Sequence, residues 1–414
     1  MKTAALALLL LLDAGEASRG LDPAGCGLIK TVAPLGGELY GASFSFEGAR
    51  LAVGCGQTVR IYDTTSWQEL GRLEGHPQQV YSTAFSRDGK TLAAGGFEGT
   101  VQLWDVETRR PLRALTGHGT FIAALAFSPD GRSLLTGAMD GTLRVWDLAD
   151  GGRVKELPAR LGGLTDVVFT GGRALTAGLD GRVHVWRTDP WEVERTMELG
   201  TGSDSRWFAF APGGRRVAGL TTEGLVSADV DGRVAPKRIA SGVEGALCRP
   251  MADGRYVIVG AGPRRVRILD VASGKAAAEL VHHAGEITSI AIHPSGRLFV
   301  TAGQERHVKV WGRVPGGMAS VRPRGFLGVR IQQDAAGGIF LAEVIPNTAA
   351  EAAGMKQGDL LRRVGGRAMA NPTEATDQIG SFLAGDEVEV VIERAGVERT
   401  IKIRLGRRPP EMEQ

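Results

Sequence analysis

His118, Thr136 and Asp140 are residue types that could perform acid–base or nucleophilic chemistry, an imidazole with a hydroxyl and a carboxylate. The same spacing returns at His283, Thr301 and Glu305, and in part at Thr176 and Asp180. An active site is needed once, so a set that recurs along the chain reads as structural. His282 and His283 beside Glu286 suggest a metal. Neighbours in an extended segment face opposite ways, however, and no Cys or His stands at ligand spacing, so neither a metal nor a cofactor is expected. Gly-x-Ser-x-Gly and His-Glu-x-x-His stretches do not occur.

The elements that carry these residues belong to a phrase of about 41 residues, which occurs seven times between Gly36 and Arg313. The third copy shows it in full. Gly117-His118 precedes the apolar run Ala123–Phe127, a turn at Ser128-Pro129-Asp130-Gly131, a second run from Ser133 to Gly137, Asp140-Gly141, and Leu143-Arg144-Val145-Trp146-Asp147. Other copies end on Tyr62-Asp63, Trp104-Asp105, Ala228-Asp229 or Trp311-Gly312. Short apolar runs closed by Gly, Pro or Asp read as four antiparallel strands per copy. One such sheet cannot bury both faces alone, and radial stacking solves that. The phrase closely resembles the WD repeat, and the resemblance implies a seven-bladed β-propeller over residues 27–313. The fold class expected is mainly β.

The last copy stops at Trp311, before an outermost strand. Leu28-Ile29-Lys30-Thr31-Val32 aligns with the outer segments Glu69–Leu73 and Pro111–Leu115. Residues 27–33 are therefore expected to complete the last blade and latch it to the first. The WD resemblance also implies a hydrogen-bonded structural tetrad in each blade. Blade 3 has the whole set, His118, Thr136, Asp140 and Trp146; blade 7 has His283, Thr301, Trp311 and Glu305 in place of Asp. Blade 4 lacks the His, blade 2 has Ala94 and Glu98, and blade 5 has lost the aromatic at Ala228, so blades 5 and 6 are expected to be the soft sector.

Met1-Lys2, the apolar stretch Ala4–Leu12 and the small residues before Ser18 outline a secretory signal peptide over residues 1–17, too short to span a bilayer. An exported, periplasmic or extracellular chain is expected, with no membrane span. Cys248 takes the place of Phe127 as a buried apolar residue, while Cys26 and Cys55 flank the closure and leave pairing open. Net charge is +3 over 414 residues, without basic runs, so nucleic acid is not an expected partner.

Residues 314–321, rich in Gly, Pro and small side chains, read as a linker. From Arg322 to Arg408 the grammar changes. Gly325-Phe326-Leu327-Gly328-Val329, the run Ile339–Val344 with Pro346, Ala353-Gly354-Met355, Gly358-Asp359-Leu360-Leu361, a helix from about Pro372 to Phe382, and two alternating strands occur in order. This segment resembles the bacterial PDZ domain attached to HtrA-type and site-two proteases, a small α+β unit. The resemblance implies that Phe326–Val329 is a carboxylate-binding loop, with Gly328 supplying backbone freedom. A ligand peptide would then add to the strand Val329–Gln332, its last side chain entering a pocket formed by Phe326, Leu327, Val329, Ile331 and Ile379, with Ala375 bordering the groove. The other reading makes Phe326–Val329 plain strand and core. Arg324 and Arg330 either attract the carboxylate or are solvated.

The function expected is a non-enzymatic adaptor. The PDZ-like groove would capture a C-terminus or an extended peptide, and a propeller face would give a second docking surface. The alternative is a regulatory subunit of an exported protease, or an enzyme with its site in the propeller channel.

Overall fold

The computed structural model describes residues 21, 23, 26–32, 36–150, 152–158, 162–200, 205–232, 235–241, 243, 245, 247–262, 264–313, 326–334, 337–380, 382 and 386–406. The signal-peptide region, the linker, Arg324 and Gly325 lie outside them.

Seven antiparallel sheets of four strands follow one another along residues 26–313. Blade 3 is typical, with strands Ile122–Phe127, Ser133–Ala138, Thr142–Asp147 and Arg153–Pro158. Its second strand is buried at every position but the first, because both of its faces meet neighbouring blades. In blade 2 the outermost strand, Pro111–Leu115, is exposed except at the half-buried Arg113 and the buried Leu115. The apolar runs therefore pack between blades: Leu73, Val80, Leu92 and Trp104 share one cluster, and Leu115, Ile122, Leu134 and Trp146 the next.

The ring closes through its first strand. Cys26–Val32 pairs antiparallel with Val308–Arg313, placing Leu28 opposite Trp311 and Val32 opposite Val308. Its register slips between Leu28 and Lys30, as the outer strand of blade 3 slips opposite Val145 and Trp146. Val32, Leu39, Val53, Val308 and Val310 share one core, so the first and last blades are packed as well as latched.

All three cysteines are buried thiols, without a disulfide among the described residues. Cys248 is not the counterpart of Phe127. Phe127 faces Leu134 at the end of its hairpin, and the matching pair in blade 6 is Pro250 with Val257; Cys248, opposite Val259, corresponds to Leu125.

The C-terminal unit is one sheet in the order Val329–Gln333, Ile339–Val344, Leu360–Val364, Glu387–Arg394, Val397–Arg404, with Arg367–Ala368 paired to Leu360–Val364. Helix α1 spans Ala349–Ala352 and α2 spans Pro372–Gly380, ending before Phe382. Asp359, 1% exposed, anchors the turn before the third strand. It accepts Arg394 Nε and Nη2 at 2.6 and 2.7 Å and the Lys356 amide at 2.8 Å. Burial pushes its carboxyl up, but the Arg394 and Lys356 hydrogen bonds bring it below the usual carboxylate range.

This unit is docked on blade 7. Phe382 meets the His307 ring edge to face at 4.8 Å, and the Lys309 ammonium lies 5.4 Å from its centroid. His307 and Lys309 are fully buried and Phe382 is 4% exposed. Burial, with the Lys309 charge adding to it, depresses the His307 imidazole to about 3; burial lowers the Lys309 amine to about 8, against the attraction of Glu305 and Asp386.

Candidate functional site

Gly328 sits at φ +87°, in the left-handed region, and a Cβ there would lie 2.2 Å from Thr348 Cβ. Only glycine allows both the turn and this approach. The carbonyls on either side are tied down: Ala350 N–H donates to Leu327 O and Ile345 N–H to Gly328 O, both at 2.9 Å. A trans peptide sets its N–H opposite its carbonyl, so the Gly328 N–H points away from α1 and the Val329 N–H away from the neighbouring strand. The Ile345-to-Gly328 bond also makes Val329–Val344 a non-hydrogen-bonded pair, so the N–H and C=O of Val329 face the open edge.

That edge is the outer side of Val329–Gln333, which has one sheet neighbour, Ile339–Val344. Leu327, Ala375 and Ile379 are buried in the core of this unit at 1%, 0% and 7% exposure, and the half-buried Val329 and Ile331 pack against them. The edge strand and α2 thus share one apolar core. Of the residues expected there, Leu327, Gly328, Val329, Ile331, Ala375 and Ile379 are brought together. Phe326 is not part of that cluster; it bridges Gly406, donating to its carbonyl at 3.0 Å and accepting its amide at 3.1 Å. Arg330 pairs with Glu343 across the strands at 3.1 Å.

The tetrads lie in the propeller. In blade 3, Trp146 Nε1 donates to Thr136 Oγ1 at 2.9 Å and His118 Nε2 lies 2.6 Å from the same hydroxyl. Asp140 is 3.8 Å from His118 Nδ1. Thr142 stands between them, its hydroxyl 3.0 Å from Nδ1 and donating to Asp140 at 2.6 Å. Sequence reasoning passed over Thr142; the signal was its position two after Asp140. In blade 7, Trp311 donates to Thr301 at 2.7 Å, His283 lies 2.6 Å from Thr301, and Glu305 meets His283 directly. Blade 4 keeps the Trp186–Thr176 bond at 2.9 Å, whereas blade 2, with Ala94, turns Trp104 to the Glu74 carbonyl at 3.1 Å. These groups hydrogen-bond to one another inside the blades. Among the described residues no His, Cys, Asp and Glu gather as a metal cluster, and no helix is long and apolar enough to cross a membrane.

The bore of the propeller is a cavity of ≈ 450 Å³ lined mainly by the innermost strands. Asp166 and Arg249 face each other in it at 3.4 Å. Asp166 also accepts the Phe210 amide at 2.9 Å, and burial raises its carboxyl against the pull of Arg249.

Comparison with known proteins divides the chain at the same place. A family model described as WD domain, G-beta repeat, matches residues 67–105, 109–147 and 274–312, and one described as PDZ domain matches residues 325–405. The three WD matches end in blades 2, 3 and 7, the blades that keep His76, His118 and His283. A probable periplasmic serine endoprotease DegP-like of Marinomonas sp. is 32% identical over 97 residues, 21% of this chain and 21% of its own length. The WD repeat-containing protein SL1-17 of Schistosoma mansoni is 30% identical over 156 residues, 37% of this chain and 51% of its own. The intraflagellar transport protein 122 homolog of Xenopus tropicalis is 36% identical over 58 residues, 14% of this chain and 5% of its own. The chain thus spans at most about half the length of these relatives.

Proposed function

We propose that this chain, which carries WD40 repeats and a C-terminal PDZ domain, is a non-enzymatic adaptor of an exported compartment. Its PDZ groove captures a C-terminal or extended peptide, and its propeller supplies a second docking surface. The observation that carries this reading is the open edge of Val329–Gln333 beside α2, with Gly328 and Val329 amides turned outward at its head.

A terminal carboxylate laid on those amides and an added strand along the edge require no side-chain acid or base. One buried ligand side chain contributes roughly 1.5–3 kcal/mol and each hydrogen bond about 0.5–1.5, against an association cost of at least about 4. The groove alone is therefore expected to bind in the micromolar range or weaker. A second contact on the propeller raises affinity through effective concentration.

The test is binding of matched peptides with free and amidated C-termini to the full chain and to Ile331→Glu, a half-buried position at the edge. Preference for the free acid, lost in the variant with an unchanged melting profile, supports the reading; equal binding of acid and amide rejects it. Export is tested by sequencing the mature N-terminus, with cleavage after residue 17 expected.

The second reading, a regulatory subunit of an exported protease, draws on the periplasmic serine proteases of Marinomonas and Haemophilus influenzae among the PDZ relatives. It predicts that the chain changes the turnover of a co-purifying protease. Product release by the pure chain itself, abolished by Asp166→Asn in the bore, would favour an enzyme instead.

A further inference from the structure

Tyr81 lies at the centre of four aromatic rings drawn from blades 1 to 3. Tyr40 stacks on it at 5.5 Å with planes 22° apart, Phe97 meets it edge on at 5.3 Å, and Phe121 lies 4.8 Å away. Phe97 also contacts Tyr40 at 5.5 Å and Phe121 at 5.7 Å, so the rings form one continuous patch. Phe97 is 37% exposed and the other three are half-buried. Tyr40 and Tyr81 also line the bore, which puts the patch at its mouth.

Two exposed carboxylates rim it. Glu38 accepts the Tyr40 hydroxyl at 3.2 Å and Gln79 Nε2 at 3.0 Å, and Glu98 accepts Gln78 Nε2 at 3.0 Å. These donors are neutral, so they orient the carboxylates without cancelling their charge. The hydrogen bonds from Gln79 and Tyr40 hold Glu38 below the usual carboxylate range, and the field of Arg306 from blade 7 adds to this. Ring faces beside negative charge match a cation on an apolar stem, a guanidinium or an ammonium.

We propose that this patch is the propeller's docking site and takes an extended segment bearing Arg or Lys. The proposal rests on the reading of the propeller as a second docking surface and specifies where and what it binds. The position supports it. Phe97 follows the second strand of blade 2 as Arg306 follows that of blade 7, so both lie on the same face of the ring. Phe382 packs on His307, next to Arg306, so the PDZ domain borders that face. One partner chain can then lay its cationic stretch on the rings and its tail in the groove.

The test uses the full chain and a fluorescein-labelled peptide of alternating Arg and Leu, amidated at its C-terminus to remove the carboxylate the groove would hold. Its counterpart carries citrulline for Arg, which keeps the shape and removes the charge. The Arg peptide is expected to bind at least about tenfold more tightly than the citrulline one. Phe97→Ala and Glu38→Gln, both at exposed positions, should each weaken it about three- to tenfold, and Ile331→Glu should leave it unchanged. Equal binding of the two peptides, no effect of either propeller variant, or loss of binding in Ile331→Glu would each overturn the proposal. The acid-versus-amide comparison stands apart from these arms, so failure here leaves the groove reading to its own test.

Discussion

In blade 3 a threonine hydroxyl bridges imidazole and carboxylate, whereas in blade 7 the longer side chain of Glu305 reaches His283 without a bridge. The residue two after the acid is then released: it is His307, whose Nδ1 lies 2.8 Å from the Glu305 carbonyl. One methylene thus separates two arrangements that the residue types present as equivalent, which is why the tetrad was legible in the sequence and Thr142 was not. Thr142→Val should cost about 1–2 kcal/mol. Thr136→Val should cost about 3, because Trp146 and His118 lose their shared partner. Urea unfolding followed by tryptophan fluorescence measures both. Burial, with the nearby Arg144 adding to it, depresses His118 to about 4 from its ordinary 6.5. The unfolded chain therefore binds the extra proton first, so stability is full above pH 6.5 and declines as pH falls toward 4, by about 3 kcal/mol from this residue. An imidazole titration midpoint near 4 in the folded chain is expected; one near 6.5 would refute the neutral, hydrogen-bonded histidine.

Among the elements, the period of the apolar runs and the missing fourth strand of the last copy told of the closing strand, because an unfilled sheet edge leaves a deficit that a distant segment must meet. The latch buries Cys26, Leu28 and Val32. At roughly 1.5–3 kcal/mol per apolar side chain, deleting residues 26–32 should lower the melting temperature by about 10 °C or more; an unchanged midpoint would refute the latch. Blade 5 has a four-residue outer strand, Lys237–Ala240, and blade 6 a four-residue inner strand, Leu247–Pro250. Both also lack the tryptophan–threonine bond found in blades 3, 4 and 7, with Ala228 and Leu269 at the tryptophan position. Amide exchange should be fastest there, and uniform exchange around the ring would contradict this. The C-terminal strands were legible from their alternation, but the floor of the groove was not fully so, since Phe326 and Leu327 are both apolar and only the fold sends Leu327 inward and Phe326 to Gly406.

For the molecule as a whole, periodicity is silent on docking. His307 precedes a strand, Lys309 lies on it and Phe382 reads as the end of a helix, so nothing in their types joins them. They meet where the two units touch, each unit being legible separately. Amine labelling with acetic anhydride should leave Lys309 unmodified while the exposed Lys30 reacts, and Phe382→Asp should open Lys309 to the reagent; equal labelling of both lysines in the wild type would refute the docked arrangement. Phe382 follows α2, the helix beside the proposed groove, so its contacts tie the end of that helix to blade 7. Peptide capture by the C-terminal unit is tested by an amide chemical-shift map of the full chain titrated with a peptide ending in a free carboxylate. Shifts concentrated at Leu327–Gln333 and along α2, at least about tenfold weaker binding of the C-terminal amide, and the largest change at Gly328 and Val329 are expected. Shifts that avoid this cleft, or identical responses to acid and amide, would contradict it.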